Sequence, residues 1–250
     1  SSYLQKMGET LLRHCGITKR LSLTILPTGI APGWTDGKKE YLVPENAITE
    51  AYNDIYAKFT ALLGIHFHEI AHIIYCDFAE EQKAIDKIKA GEFYGELPTP
   101  KNQAEEDALT EMKDALQNSA YRPLFQQIFN DVTNTIDDPH DEGKIIDEFG
   151  GIVEKGIATS REALFRSFDY AENILANDKT TKLQKLYALM LEFARFEDVF
   201  AKDLEQCVRD NDIMKMVIDM AKPLSQARWT DDVVYRFTQI NEIFLIMWPI

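Results

Sequence analysis

His68-Glu-Ile-Ala-His72 places two histidines one helical turn apart with a glutamate between them. That pattern is useful only on an α-helix, where residues i and i+4 share a face and both imidazoles can reach one metal ion. At about 100° per residue, Ile65, His68, His72, Tyr75 and Cys76 fall in one sector with Glu69 at its edge, and Phe67, Ile70, Ile73 and Ile74 fall opposite. A helix apolar behind and carrying imidazoles and a carboxylate in front is a buried helix, and such polar groups are costly to bury without partners. The segment is therefore predicted to be a helix over 64–78, continuing or kinking toward 90, with a metal between His68 and His72. Glu69 projects beside the ion and can take a proton from its water, the arrangement of a zinc hydrolase and most often of a metallopeptidase.

Two histidines leave a catalytic zinc one protein ligand short. The extended H-E-x-x-H-x-x-G-x-x-H signature is excluded, because Tyr75 and Phe78 stand where it needs glycine and histidine. A carboxylate from a later helix is the other route, and Asn130-Asp-Val-Thr-Asn-Thr-Ile-Asp-Asp-Pro-His-Asp-Glu-Gly143 is rich in them. On a helix, Asn134 and Asp138 stack one turn apart and point away from the apolar stripe, which makes Asp138 the expected third ligand. Asp137 is the alternative, because Pro139 disturbs the local register. Asp141 or Glu142 is read as orienting a ligand, and His140 as a ligand, an oxyanion donor or a surface residue. His66 lies on the apolar back and reads as a hydrogen-bonded core residue. Tyr75 reads as packing, with an oxyanion donor as its other role, and Cys76 as a buried structural thiol, with a place facing the metal as its other role. His14 has no motif around it.

The rest of the chain reads as mostly α (α+β), a helical domain with a small N-terminal sheet. A helix at 3–14 precedes a strand at 21–26, a turn-rich stretch at 27–37 and a strand at 39–43. Helices are expected at 47–62, 101–118 and 123–138. Thr159 and Glu162 form a capping box for a helix at 160–176 that buries Leu164, Phe168, Ala171 and Leu175. Further helices are expected at 181–209, 212–221 and 230–247, while 141–156, with its glycines, stays unassigned. Residues 1–150 form the expected metal-site core and 151–250 a helical extension, the two together amounting to one continuous domain in the alternative division.

The net charge of −14 repels phosphate backbones and argues against nucleic acid. No apolar run reaches the ~20 residues of a membrane span. Three cysteines, Cys15, Cys76 and Cys207, are an odd number with no paired spacing and fit a reducing, cytoplasmic setting. The chain opens Ser-Ser-Tyr without methionine and stops in the apolar Phe244-Leu-Ile-Met-Trp-Pro-Ile250, which suggests a piece of a longer protein.

Thr35-Asp-Gly-Lys-Lys-Glu-Tyr-Leu-Val43, His68-Glu-Ile-Ala-His72, Asn134-Thr-Ile-Asp-Asp138, Glu142 and Phe149-Gly150-Gly151 follow one another in an order that resembles zinc metallopeptidase domains of bacteria and phages, often placed ahead of a von Willebrand factor A-like domain. The resemblance covers about the first 150 residues and departs at Pro139 and at His140, where arginine is usual. It implies a zincin-like fold, in which the Thr-Asp-Gly turn leads into an edge strand, and a C-terminal partner domain of that type. The expected function is zinc-dependent hydrolysis of a peptide or protein substrate, with His68, His72 and Asp138 on zinc and Glu69 as general base. The strand near Tyr41–Val43 would align the substrate. A metal-containing binding or assembly module acting with a missing C-terminal domain is the alternative.

Overall fold

A computed structural model describes residues 2–166, 171–195 and 211–250. It is mostly helical, with one small open sheet in the N-terminal region. Two compact units divide the described residues: 2–76 with 140–166, and 77–139 with 171–195 and 211–250.

The first unit opens with α1 (Ser2–His14), followed by β1 (Ser22–Ile25), β2 (Gly33–Thr35) and β3 (Lys39–Leu42). β3 lies in the middle of the sheet, parallel to β1 on one side and antiparallel to β2 on the other. This corrects the expected edge strand near Tyr41–Val43, since β3 has no open hydrogen-bonding side along its pairing. The edge beside it is β2, three residues hidden in the turn-rich stretch. The Thr35-Asp-Gly37 turn joins β2 to β3. Asp36 Oδ1 accepts from the Lys38 and Lys39 amides at 2.9 and 2.7 Å, and Gly37 takes φ 78°, a left-handed conformation that suits glycine.

α2 (Ala47–Glu50) is capped by a reciprocal box between Asn46 and Thr49. α3 (Ile55–Tyr75) then runs unbroken for 21 residues. The expected break at 63 falls instead at 51–54, because Asp54 accepts from the Ala57 amide and starts a new helix there. Gly64 does not interrupt α3. It lets α7 (Gly151–Phe165) cross at Gly156 so closely that a Cβ on Gly64 would sit 2.1 Å from the Gly156 carbonyl oxygen. Leu12, Leu21, Leu42, Phe67, Ile70, Ile145 and Ile157 form the core under α3.

α4 (Phe78–Ala90) is a separate helix with Asp77 as its N-cap. α5 (Gln103–Gln117) begins after the Asn102 cap, close to the expected 101. α6 (Arg122–Phe149) continues past Pro139 and includes most of the unassigned stretch. An interior proline costs about 3 kcal/mol, but buried Ile136 on one side and buried Ile145 on the other hold both halves helical. The turn out of α6 uses Gly150 and Gly151, with φ 54° and 53°. α7 therefore starts at Gly151, and the expected capping box is not used: Thr159 lies mid-helix and its hydroxyl donates to the Lys155 carbonyl.

α8 (Ala171–Ala176), α9 (Lys182–Arg195), α10 (Asp212–Arg228) and α11 (Val233–Met247) follow in the second unit. α10 extends past the expected 221, with Pro223 inside it. The second core includes Met112, Phe129, Val217, Phe237 and Phe244, with Phe125 and Phe244 stacked at 4.8 Å. Phe168, Cys207 and the expected end of the helix at 181–209 lie outside the described residues. Among the described residues, no single helix is long and apolar enough to cross a membrane.

Candidate metal centre

α3 carries His68 and His72 on one face, as the spacing requires, with Nε2 atoms 3.1 Å apart and ring planes at 83°. The last turns of α6 supply their partners. Glu142 Oε1 lies 2.7 Å from His68 Nδ1, and Asp141 Oδ2 lies 2.9 Å from His72 Nδ1. A carboxylate at Nδ1 holds each neutral imidazole as the Nδ1–H tautomer, which puts the lone pair on Nε2, the atom a metal would take. Two lone pairs held that close repel unless a cation lies between them. Zinc–nitrogen bonds of 2.0–2.1 Å at a tetrahedral angle would separate two nitrogens by about 3.3 Å. The spacing, the tautomers and the residue types fit a divalent metal.

Both carboxylates are anchored in turn. Glu142 Oε2 accepts from Arg161 Nε of α7. Asp141 is fully buried, and its other oxygen accepts from His140 Nδ1 at 2.7 Å. Burial by itself would push the Asp141 carboxyl up, but hydrogen bonds from His140, His72 and the Cys76 thiol hold it down at about 2. His140 is thus a buried donor and not a surface residue.

Cys76 ends α3. Its thiol donates to Asp141 at 2.8 Å and lies 3.2 Å from His72 Nδ1. It is only half-buried, and it stands beside the imidazole instead of inside the core. His72, Cys76 and Asp141 offer ligand atoms all within 4.8 Å of one another, a set that can hold a cation.

Glu69 is buried at 4% exposure beneath β2. A Cβ on Gly33 would lie 3.0 Å from Glu69 Oε1 and 2.7 Å from Ile65, so only glycine lets the edge strand come this near the carboxylate. His66 is a core residue as expected: its Nδ1 lies 2.5 Å from Glu40 Oε1 of β3, with both side chains inaccessible. The Tyr75 hydroxyl donates to Glu148 at 2.7 Å, which accounts for its polar end. His14 is exposed, 3.8 Å from Glu148.

Asp138 lies on α6 one turn before Glu142, half-buried, with an ion pair to Arg195 of α9. Asp137, one position earlier, points to the buried Arg236 of α11. Asn134 is exposed.

Arg161, Glu40 and Gly33 escaped sequence reasoning. Arg161 fell inside a helix whose register was set by the wrong cap, and Glu40 alternates with apolar neighbours like any strand residue. No family model, curated protein or solved structure matches this chain.

Proposed function

We propose that this chain is a zinc-holding module whose ion sits between His68 and His72. The observation that carries this reading is the pair of Nε2 atoms 3.1 Å apart with both Nδ1 atoms engaged by Glu142 and Asp141. Asp138 is the proposed third ligand. It stands one turn before Glu142 on the same unbroken helix, and a carboxylate there would complete two nitrogens with an oxygen. In its simplest form this describes a metal-containing binding or assembly module that works with a further domain. The side-chain cluster supports the metal-holding part of that reading.

The finer proposal is peptide hydrolysis within a zincin-like architecture. Zinc bound there would supply Lewis acidity for an attacking water and a peptide carbonyl. Glu69, held under β2, is the base that accepts the water's proton and returns it to the leaving amine. β2 is the strand an extended peptide would join, because it lies at the sheet edge and Gly33 brings its backbone beside Glu69. A cytoplasmic peptide or protein substrate and a C-terminal von Willebrand factor A-like partner complete the reading.

Metal content and hydrolysis together test it. Protein purified without added zinc should hold about one metal per chain, and His68→Ala or His72→Ala should lose it. Glu69→Gln should keep the metal and abolish cleavage of a peptide library, since an amide cannot take the proton. Metal retained with no cleavage by the parent chain favours the binding module. No metal in the parent chain removes both forms.

A further inference from the structure

The first unit carries a second feature, separate from the imidazole pair. A cavity of about 440 Å³ is lined by Ser2, Gln5, Lys6, Glu9 and Arg13 of α1 and by Thr18, Lys19 and Arg20 of the segment entering β1. Four of these residues are cations and one is an anion. In a chain with 41 acidic and 27 basic residues, such a grouping runs against the overall balance. Among the described residues, none of Lys6, Arg13, Lys19 and Arg20 has an ion-pair partner, whereas Lys58, Lys83, Lys87, Lys101, Arg161 and Arg166 each have a carboxylate. Glu9 accepts from Gln5 and forms no ion pair with any of the four.

The walls are firm although the charged tips are exposed. Lys6, Glu9 and Arg13 recur at helical spacing along one side of α1, while Leu4 and Leu12 anchor the helix in the core. Gly16, at φ 75°, reverses the chain, and Leu21, 2% exposed, pins the opposite wall directly after Arg20. Four cations thus line one concavity whose backbone is fixed by burial of their neighbours. A compact polyvalent anion is the ligand whose charge matches that lining. The size is that of a small-molecule pocket, and guanidinium groups bind phosphate oxygens with two parallel hydrogen bonds.

We propose that this cavity is a binding site for a small oligophosphate, with Arg13 and Arg20 as its principal contacts and Lys6 and Lys19 as supporting charges. The site goes beyond the zinc reading and stands or falls apart from it.

Calorimetric titration of the full chain with inorganic triphosphate is the test. The expected result is one anion per chain, bound more weakly as salt rises. Arg13→Gln with Arg20→Gln should lower affinity by about a hundredfold, roughly tenfold for each lost charged contact. Glu9→Gln should tighten binding, and Lys113→Gln, an exposed cation elsewhere, should leave it unchanged. Binding should survive His72→Ala, which separates this site from chelation of a bound metal. The two arginines are exposed and their replacement leaves the core intact, which circular dichroism can confirm. No binding, unchanged binding in the double variant, loss of binding in His72→Ala, or equal affinity for citrate would each overturn the proposal.

Discussion

Gly64→Ala should loosen the crossing that holds the imidazole-bearing helix in place. A methyl group there would lie 2.1 Å from the Gly156 carbonyl oxygen, 2.6 Å from its carbon and 2.6 Å from Ser160 Oγ. Ordinary contacts begin near 3.4 Å, so α3 and α7 must part by about an ångström, and the obstacle is backbone, which cannot rotate aside. Overpacking of this kind costs about 1–3 kcal/mol, and contact with main chain places it at or above the top of that range. Alanine recovers about 1 kcal/mol of helix propensity. The net loss should be about 2 kcal/mol, or roughly 4–8 °C in Tm for a chain of this size. Gly156→Ala meets gentler contacts, 3.0 Å to Gly64 N and 3.1 Å to the Phe67 ring, so its loss should be smaller. Thermal and urea unfolding followed at 222 nm measure both. A Gly64→Ala chain as stable as the parent, or more stable, would falsify the close crossing, because helix propensity would then be the only effect at work.

Asp137 and Asp138 should separate by assay. Asp138→Ala is expected to weaken metal binding more than Asp137→Ala in a competition titration, while Asp137→Ala should destabilise the fold by about 3–5 kcal/mol, since it breaks the buried ion pair with Arg236; the reverse ranking transfers the ligand role to Asp137. Glu142→Gln should lower metal affinity about 10–100-fold, because the neutral amide holds the His68 ring less firmly and leaves Arg161 without its carboxylate; unchanged affinity would mean that Glu142 does not orient His68. Cys15 should alkylate slowly at pH 9 in the folded chain and faster toward pH 11. Burial, and then the charge and hydrogen bond of Glu148, push its thiol up to about 11. The raised value favours the protonated thiol in the fold, so its stabilisation is present below pH 9.0 and is lost as pH rises to about 11. Equal labelling of Cys15 at pH 9 in folded and urea-unfolded protein, read by mass spectrometry, would contradict this.

The sequence by itself determined whatever depends on local periodicity. The i, i+4 spacing put His68 and His72 on one face, the apolar positions behind them put His66 in the core, and helical stripes located the segments that became α1, α5, α9 and α11. Local signals failed where tertiary packing outweighed them. Pro139 reads as a stop, yet α6 continues because both of its halves are buried. Thr159 and Glu162 read as a cap, yet Gly150 and Gly151 start α7 earlier through their left-handed backbone. β2 is too short and too rich in glycine to show a period, so β3 was expected at the edge when it lies in the centre. The partners of the imidazoles were the least legible. That Glu142 meets His68, that Asp141 meets His72 and that Gly33 admits β2 beside Glu69 all depend on contacts between residues far apart in the chain. Helical phase can say which side a carboxylate faces, but only the packing of α6 and β2 against α3 decides which atom it reaches.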